Sequence, residues 1–465
     1  MHHLSCRAMA AGLLIVLGSR VASLAAQVPP RATVAPTTGF NANNPLVIRH
    51  VTIVDGVDSL PHRDMILIVI GRHITALGRE GSVAVPRHAV QINGRGLFAI
   101  PGLWDMHVHL TTRDALQFYL EHGITSIRDM GSEIAVVKPW RDSIAAGTLF
   151  GPRIKTAGPI LETPESIQGI IHDTACACAG YRVSVAGPER AQHVVDSIAA
   201  LGADFLKART YASVETYRAI VAAARRRGIM FAGHPPFGLD ISPEEASAGQ
   251  RTFEHGFYPD HINDSMSRTS IDALTVAYRA NGVRLVPTLV AWEGHRMSLD
   301  SVSHLTPAKA CGALPPDLLR ETTRRWKGLA AERRATPEPW HAIFDREYRD
   351  LATLYTAGIP LLPGTDVPAF VCPDIALNEE IELFVDRIGM TPLQALRSAT
   401  VEPARLFDLQ DSLGTIERRK LADIVLLDAN PLTDIHNVRR VRGVIANGVY
   451  HPRASQPPKE TGWPR

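Results

Sequence analysis

The sequence predicts an α/β protein: a (β/α)8 barrel of the TIM-barrel class, with a small β-sandwich-like domain built from both flanking segments. Three observations carry this reading. The middle of the chain alternates short apolar runs with helix-like patterns. Both ends are rich in short alternating strands punctuated by glycine and proline. The chain has 465 residues, too long for one average domain but suited to one large barrel with a satellite.

The elements follow in order. Residues 1–26 read as a signal peptide: a short basic start, the apolar run "MAAGLLIVLG", then "SRVASLAAQ" ending in small residues, with cleavage near Ala25 or Ala26. Arg20 is an unusual charge for that position. Residues 27–45, with "VPPRATVAPTTGFNANNP", read as a disordered leader. Residues 46–100 and 408–452 supply the composite β domain, 101–407 the barrel, and 453–465 a tail.

Export to the periplasm or the exterior follows from the signal, with no membrane association after its removal. The formal charge is +2, and Arg7 and Arg20 leave with the signal. A neutral mature chain has no electrostatic footprint for nucleic acid.

Five cysteines are present. Cys6 leaves with the signal, and Cys176, Cys178, Cys311 and Cys372 remain in an oxidising compartment, where three pairings are open. Cys311 with Cys372 is favoured, because Cys176 and Cys178 sit only two positions apart. Free buried thiols are the alternative.

Within the middle, eight apolar runs read as parallel strands: "LWDMHVHL", "GITSIRDMG", "PRIKTAGPI", "ADFLKA", "IMFAGHPP", "RTFEHGF", "RLVPTLV" and "IPLLPGTD". Helix patterns such as "PERAQHVVDSIAALG" and "SVETYRAIVAAARRRG" lie between them, several ending in glycine. Two stretches, 161–187 and roughly 291–340, read as long loops of the lid or binding kind.

In this fold class chemistry sits at the C-terminal ends of the strands. Those ends carry His107 and His109, Lys207, His234, His255 and Asp366. Each has an ordinary explanation alone. Lys207 can snorkel to water, the His-x-His pair can arise by chance, and Asp366 can cap a helix. Together they place four imidazoles, an amine and a carboxylate at one end of the strands, a donor set that suits zinc and similar divalent metals. Burial and nearby cations lower a lysine's pKa and make its neutral amine available. A neutral amine adds carbon dioxide to become a carbamate, an anion able to bridge two metals.

The motifs "PGLWDMHVHL", "ADFLKA", "AGHPP", "FEHG", "PGTD", "TPLQALRSATVEPARLFDL" and "GTIERRKLADIVLLDANPLTDI" resemble the amidohydrolase superfamily. The nearest branch is the imidazolonepropionase-related, prolidase-like (Xaa-Pro dipeptidase-like) hydrolases. The resemblance spans roughly residues 46–450. It implies two divalent metal ions, zinc first among them. His107, His109 and Asp366 hold one, His234 and His255 the other, and carboxylated Lys207 bridges both. It also implies that Asp366 shuttles the proton and that a metal-activated hydroxide cleaves an amide in a dipeptide such as Xaa-Pro or in an N-acyl amino acid.

A mononuclear imidazolonepropionase-like cyclic-amide hydrolase or deaminase is the alternative, and a non-catalytic binding protein on the same scaffold stands behind both. Tyr258 and His172 are candidates for substrate contact, although the "GGH" pattern expected of relatives is absent at His172. Arg182, Arg209 and Trp292 are further candidates. A homo-oligomer is expected by analogy with relatives.

Overall fold

The two strand-rich ends of the chain meet in one sheet. The structure, a computed structural model, describes residues 44–172, 180–256, 268–296, 306–335, 340–368 and 371–453. The signal peptide, the leader up to residue 43, Cys176, Cys178, Tyr258 and the tail from residue 454 lie outside the described residues.

The N-terminal flank supplies β1 (Leu46–Ile53), β2 (His62–Ile70), β3 (His73–Arg79), β4 (Val90–Asn93) and β5 (Phe98–Pro101). The middle supplies β6 (Leu103–Val108), β7 (Ile124–Asp129), β8 (Arg153–Thr156), β9 (Ile160–Glu162), β10 (Arg182–Ser184), β11 (Phe205–Ala208), β12 (Met230–Gly233), β13 (Thr252–Glu254) and β14 (Arg284–Val286). The C-terminal flank adds β15 (Ile424–Leu427), β16 (Val441–Ala446) and β17 (Val449–Pro452).

Both flanks build an eight-stranded sheet in the order β17-β16-β15-β5-β1-β2-β3, with β4 also paired to β1. The join is antiparallel, Phe98 on β5 opposite Leu427 on β15. The period-two rule sorts its side chains. Leu46, Ile48, Leu67 and Val69 pack into one apolar cluster. Their neighbours Val47, Ile66 and Ile68 pack into another.

The middle forms two parallel sheets, β6-β7-β8 and β10-β9-β11-β12-β13-β14. Backbone connections cross between them at two places. Asp204 N–H donates to the Thr156 carbonyl at 2.8 Å beside β8 and β11. On the other side, residues 359–367 lie between β14 and β6. Leu361 bridges Leu285, Val367 bridges Val108, and Met106 N–H donates to the Pro363 carbonyl. This is the stretch "IPLLPGTD", and it makes bridges rather than a regular strand. Pro360 and Pro363 have no N–H to give to a ladder.

Helices cover these sheets. Val214–Arg227 shows why the sequence makes them. Ser213 accepts a hydrogen bond from Thr216 N–H, Gly228 closes the helix at φ +62°, and three arginines occupy the last turn. Tyr217, Ile220, Val221 and Ala224 are its buried face.

The stretch after β14 departs from the expected loop and is largely helical, with helices Leu289–Arg296, Pro307–Ala310 and Pro316–Ala335. In Pro316–Ala335, Leu318, Thr322 and Trp326 recur every four residues and are buried, a narrow stripe on a highly charged helix. Cys311 and Cys372 are disulfide-bonded, so this excursion is tied to the segment just beyond Asp366. Among the described residues no helix is long and apolar enough to cross a membrane.

Candidate metal centre

His107 lies near the end of β6 and His109 just past it. The segment carrying Asp366 is laid against them by backbone hydrogen bonds. Asp366 N–H donates to the His107 carbonyl at 2.7 Å, and His109 N–H donates to the Val367 carbonyl at 2.8 Å. Gly364 permits this approach: a Cβ there would stand 2.7 Å from the His107 Cβ. Asp366 Oδ1 is 3.4 Å from His107 Nε2 and 3.2 Å from His109 Nε2. Asp105 holds the arrangement from below, accepting from His107 N–H at 3.2 Å, Thr365 N–H at 3.1 Å and the Thr365 hydroxyl at 2.7 Å.

The tautomers of three histidines follow from their acceptors. His109 Nδ1 is 3.0 Å from the Gly131 carbonyl, which can only accept. His107 Nδ1 is 2.8 Å from a Glu254 carboxylate oxygen. His255 Nδ1 is 2.8 Å from the Thr288 hydroxyl, whose own proton goes to the Pro287 carbonyl at 2.7 Å. Each ring therefore donates from Nδ1 and keeps its Nε2 lone pair. His107 Nε2 is buried and has no hydrogen-bond partner among the described residues. Two imidazole lone pairs and a carboxylate oxygen facing one another repel unless a cation lies between them. Donor atoms of His107, His109 and Asp366 fall within 4.8 Å of one another. The residues present fit a divalent metal.

His234 and His255 follow β12 and β13. Their ring centroids are 4.8 Å apart, and the His255 ring is 4.5 Å from that of His107. His255, Thr288 and Asp366 all have positive φ, +66°, +53° and +55°. For residues with a Cβ, each such conformation costs on the order of 1–3 kcal/mol. Three of the residues at this site carry strain of this kind. His234 is fixed through its backbone: its carbonyl accepts from the Tyr211 hydroxyl at 2.8 Å and from Gln250 at 3.1 Å.

Lys207 is buried on β11, in register with Ala232 of β12. It does not snorkel. Burial lowers its pKa to about 8, against the opposing pull of Glu254 and Asp366. Burial also lowers the histidines, His255 to about 4 and His107 and His234 well below their usual range, so the imidazoles are neutral.

Sequence reasoning missed the group behind the histidines. Glu254 takes two hydrogen bonds from Arg128, at 2.7 and 2.6 Å, and one from the Thr252 hydroxyl at 2.5 Å. Arg128 also donates to the Met106 carbonyl and to Thr252. All three are fully buried. The pair orients His107 from behind, as an outer carboxylate does for a ligand imidazole. The signal was there in "SIRDMG" and "FEHG": charges inside short apolar strands, the same oddity that marked Lys207. Tyr181 was also missed; its ring stacks on His109 with centroids 6.4 Å apart.

Of the other candidates, Trp292 meets His255 edge to face at 6.2 Å. Arg182 and Arg209 share Glu162. His172 ends the helix Pro164–His172, and its side chain lies outside the described residues, as does the whole of Tyr258.

The amidohydrolase family matches residues 98–450 of the chain. Ochratoxinase of Aspergillus niger is 22% identical over 418 residues, covering 81% of this chain and 80% of that protein. Imidazolonepropionase of Fusobacterium nucleatum is 33% identical over 82 residues, and that match spans 18% of this chain and only 20% of the relative. A Xaa-Pro dipeptidase crystal structure with methionine bound in its active site superposes with a TM-score of 0.64 at 24% identity, covering 88% of this chain and all of that one. The chain belongs to the amidohydrolase family and is a hydrolase acting on carbon–nitrogen bonds.

Proposed function

We propose that the protein is an exported binuclear metallohydrolase that cleaves an amide bond in a dipeptide, such as Xaa-Pro, or in an N-acyl amino acid. The observation that carries this is the convergence of His107, His109 and His255, each donating from Nδ1 and offering Nε2, around Asp366 and buried Lys207. Under this reading His107, His109 and Asp366 hold one divalent ion, His234 and His255 a second, with zinc the first choice for the donor set.

Lys207 joins the two sites as a carbamate. Its neutral amine attacks carbon dioxide, an N–C bond forms, one proton leaves to solvent, and a neutral group becomes an anion. The metals, when bound, make water acidic enough to act near neutral pH and polarise the scissile carbonyl. Asp366 then takes the attacking water's proton and hands it to the departing amine nitrogen, which cannot leave as an anion. Arg128 and Glu254 keep the His107 ring in place throughout.

The same reading treats the two parallel sheets and residues 359–367 as the staves of one closed (β/α)8 barrel, residues 101–407, with the eight-stranded sheet as its satellite from 46–100 and 408–452. Export rests on the first 26 residues. The dipeptide class is suggested by the dipeptidase whose fold this chain shares.

Elemental analysis of the purified mature chain, reconstituted with zinc with and without bicarbonate, tests the site. Two metals per chain with bicarbonate-dependent loading is the expected result. One metal, indifferent to bicarbonate, replaces this reading with the mononuclear cyclic-amide hydrolase. No metal under any condition favours a binding protein. A screen of dipeptides and N-acyl amino acids then tests the substrate class.

A further inference from the structure

A second group of charges lies beside the metal centre, and its charges do not balance. Glu162 ends β9 and is fully buried. Its carboxylate accepts four hydrogen bonds. Oε1 takes one from Arg182 and one from Arg209 Nε at 2.7 Å, and Oε2 takes those of the Ser166 and Thr210 hydroxyls at 2.6 and 2.8 Å. One carboxylate thus faces two guanidiniums, leaving a positive charge over. Arg182 is only 6% exposed. Arg209 is 36% exposed and open to solvent and to an incoming anion, whereas a buried cation such as Arg182 is costly unless its donors are paired. The Arg182 Nε is buried with no hydrogen-bond partner among the described residues.

The location ties this charge to the candidate metal centre. Arg209 follows Lys207 by two positions, and its N–H still donates to the Leu161 carbonyl at 3.0 Å, so the extended ladder reaches it. Residues two apart on a strand share a face, so Arg209 stands on the Lys207 side. The Arg182 guanidinium carbon is 5.8 Å from the Tyr181 ring centroid, and that ring stacks on His109. One aromatic ring separates the surplus charge from a ligand imidazole.

We propose that Arg182 and Arg209 form the recognition site for a substrate carboxylate, so that the preferred substrates carry a free carboxylate within about one residue of the scissile amide. This rests on the amide-hydrolysis reading above. Guanidiniums pair with carboxylates through parallel N–H bonds, and an orphaned N–H is a donor already desolvated. The inference selects N-acyl amino acids and free dipeptides over the same compounds capped at the C-terminus.

The test uses the full metal-loaded mature chain, N-acetyl-L-amino acids and their C-terminal methylamides. The wild type is expected to favour the acid by about 10- to 100-fold in kcat/KM, mostly through KM, as for one or two charge-assisted bonds. In Arg182→Gln and in Arg209→Gln this ratio falls at least severalfold toward one. A ratio of two substrates on one preparation cancels any loss of folded enzyme. Hydrolysis with no acid preference, or a preference both variants keep, overturns the carboxylate site and leaves amide hydrolysis standing. If neither compound is cleaved, the hydrolase reading fails instead, and calorimetric binding of the same pair decides the subsite. Acid-selective binding lost in Arg182→Gln supports it, and equal binding of acid and methylamide overturns it.

Discussion

The eight-stranded sheet and the cluster at the ends of the parallel strands are buried equally well and stabilised by opposite means. The sheet's interior is aliphatic, with Leu46, Ile48, Val51, Leu67 and Ile424 all fully buried. The cluster buries His107, Arg128, Lys207 and Glu254 to the same degree. In the sheet each side chain contributes alone, about 1.5–3 kcal/mol for a large aliphatic group removed from water. In the cluster a side chain contributes only with its partner. Removing both members of an ion pair is often neutral, whereas removing one costs about 3–5 kcal/mol. The sheet tolerates change that conserves volume. The cluster tolerates change that conserves pairs.

The largest expected effect falls on catalysis. Asp366→Asn should lower turnover by about 10²–10⁴-fold, the usual worth of a positioned proton carrier, with the fold kept. An unchanged rate removes Asp366 as the proton shuttle. Lys207→Ala should lose metal and activity together, read by elemental analysis beside kinetics, and full activity with two metals bound refutes the bridge.

Next comes the pair behind the histidine. Glu254→Gln should cost about 3–5 kcal/mol in urea unfolding, because it strands buried Arg128. It should also weaken zinc binding about 10- to 100-fold by freeing the His107 ring. Adding Arg128→Met should restore much of the stability and none of the zinc affinity. If the double variant recovers both, the pair does not orient His107.

Ile48→Ala probes the other region. About 2–5 kcal/mol should be lost with zinc stoichiometry intact; a coupled loss of metal would show that the two regions are not independent.

The smallest effect is a pH profile. Carbamate forms from the neutral amine, and the folded-state pKa of Lys207 lies below the lysine's ordinary value. The rate of carbamate formation on the metal-free chain, at constant dissolved carbon dioxide, should therefore rise with pH and level off above about 8. Below that it falls roughly tenfold per pH unit. A flat profile between about 6 and 9 means that Lys207 does not limit the reaction.

What was legible in the sequence was local. A histidine or lysine at the end of a short apolar run needs no partner to be noticed, which is why the six candidates at the strand ends stood out. The pairings were not legible, because they are made by the fold. Arg128 meets Glu254 from more than a hundred residues away. Tyr181 reaches His109 from across a segment whose length says nothing about its return path. Glu162 became informative only when two arginines converged on it. The helix Pro316–Ala335 read as loop because its buried stripe is one residue per turn, too thin beside its charges to set a period. The eighth strand kept its place and lost its ladder to two prolines.

The sheet made from both ends has a consequence for biosynthesis. Strand β5 leaves the ribosome early, yet the strand that covers its edge, β15, is made roughly three hundred residues later, tens of seconds at ordinary elongation rates. Through all of that time the nascent chain carries an open, apolar strand edge, the kind that pairs with neighbours and aggregates. Its safe production depends on whatever shields that edge until the last strands arrive.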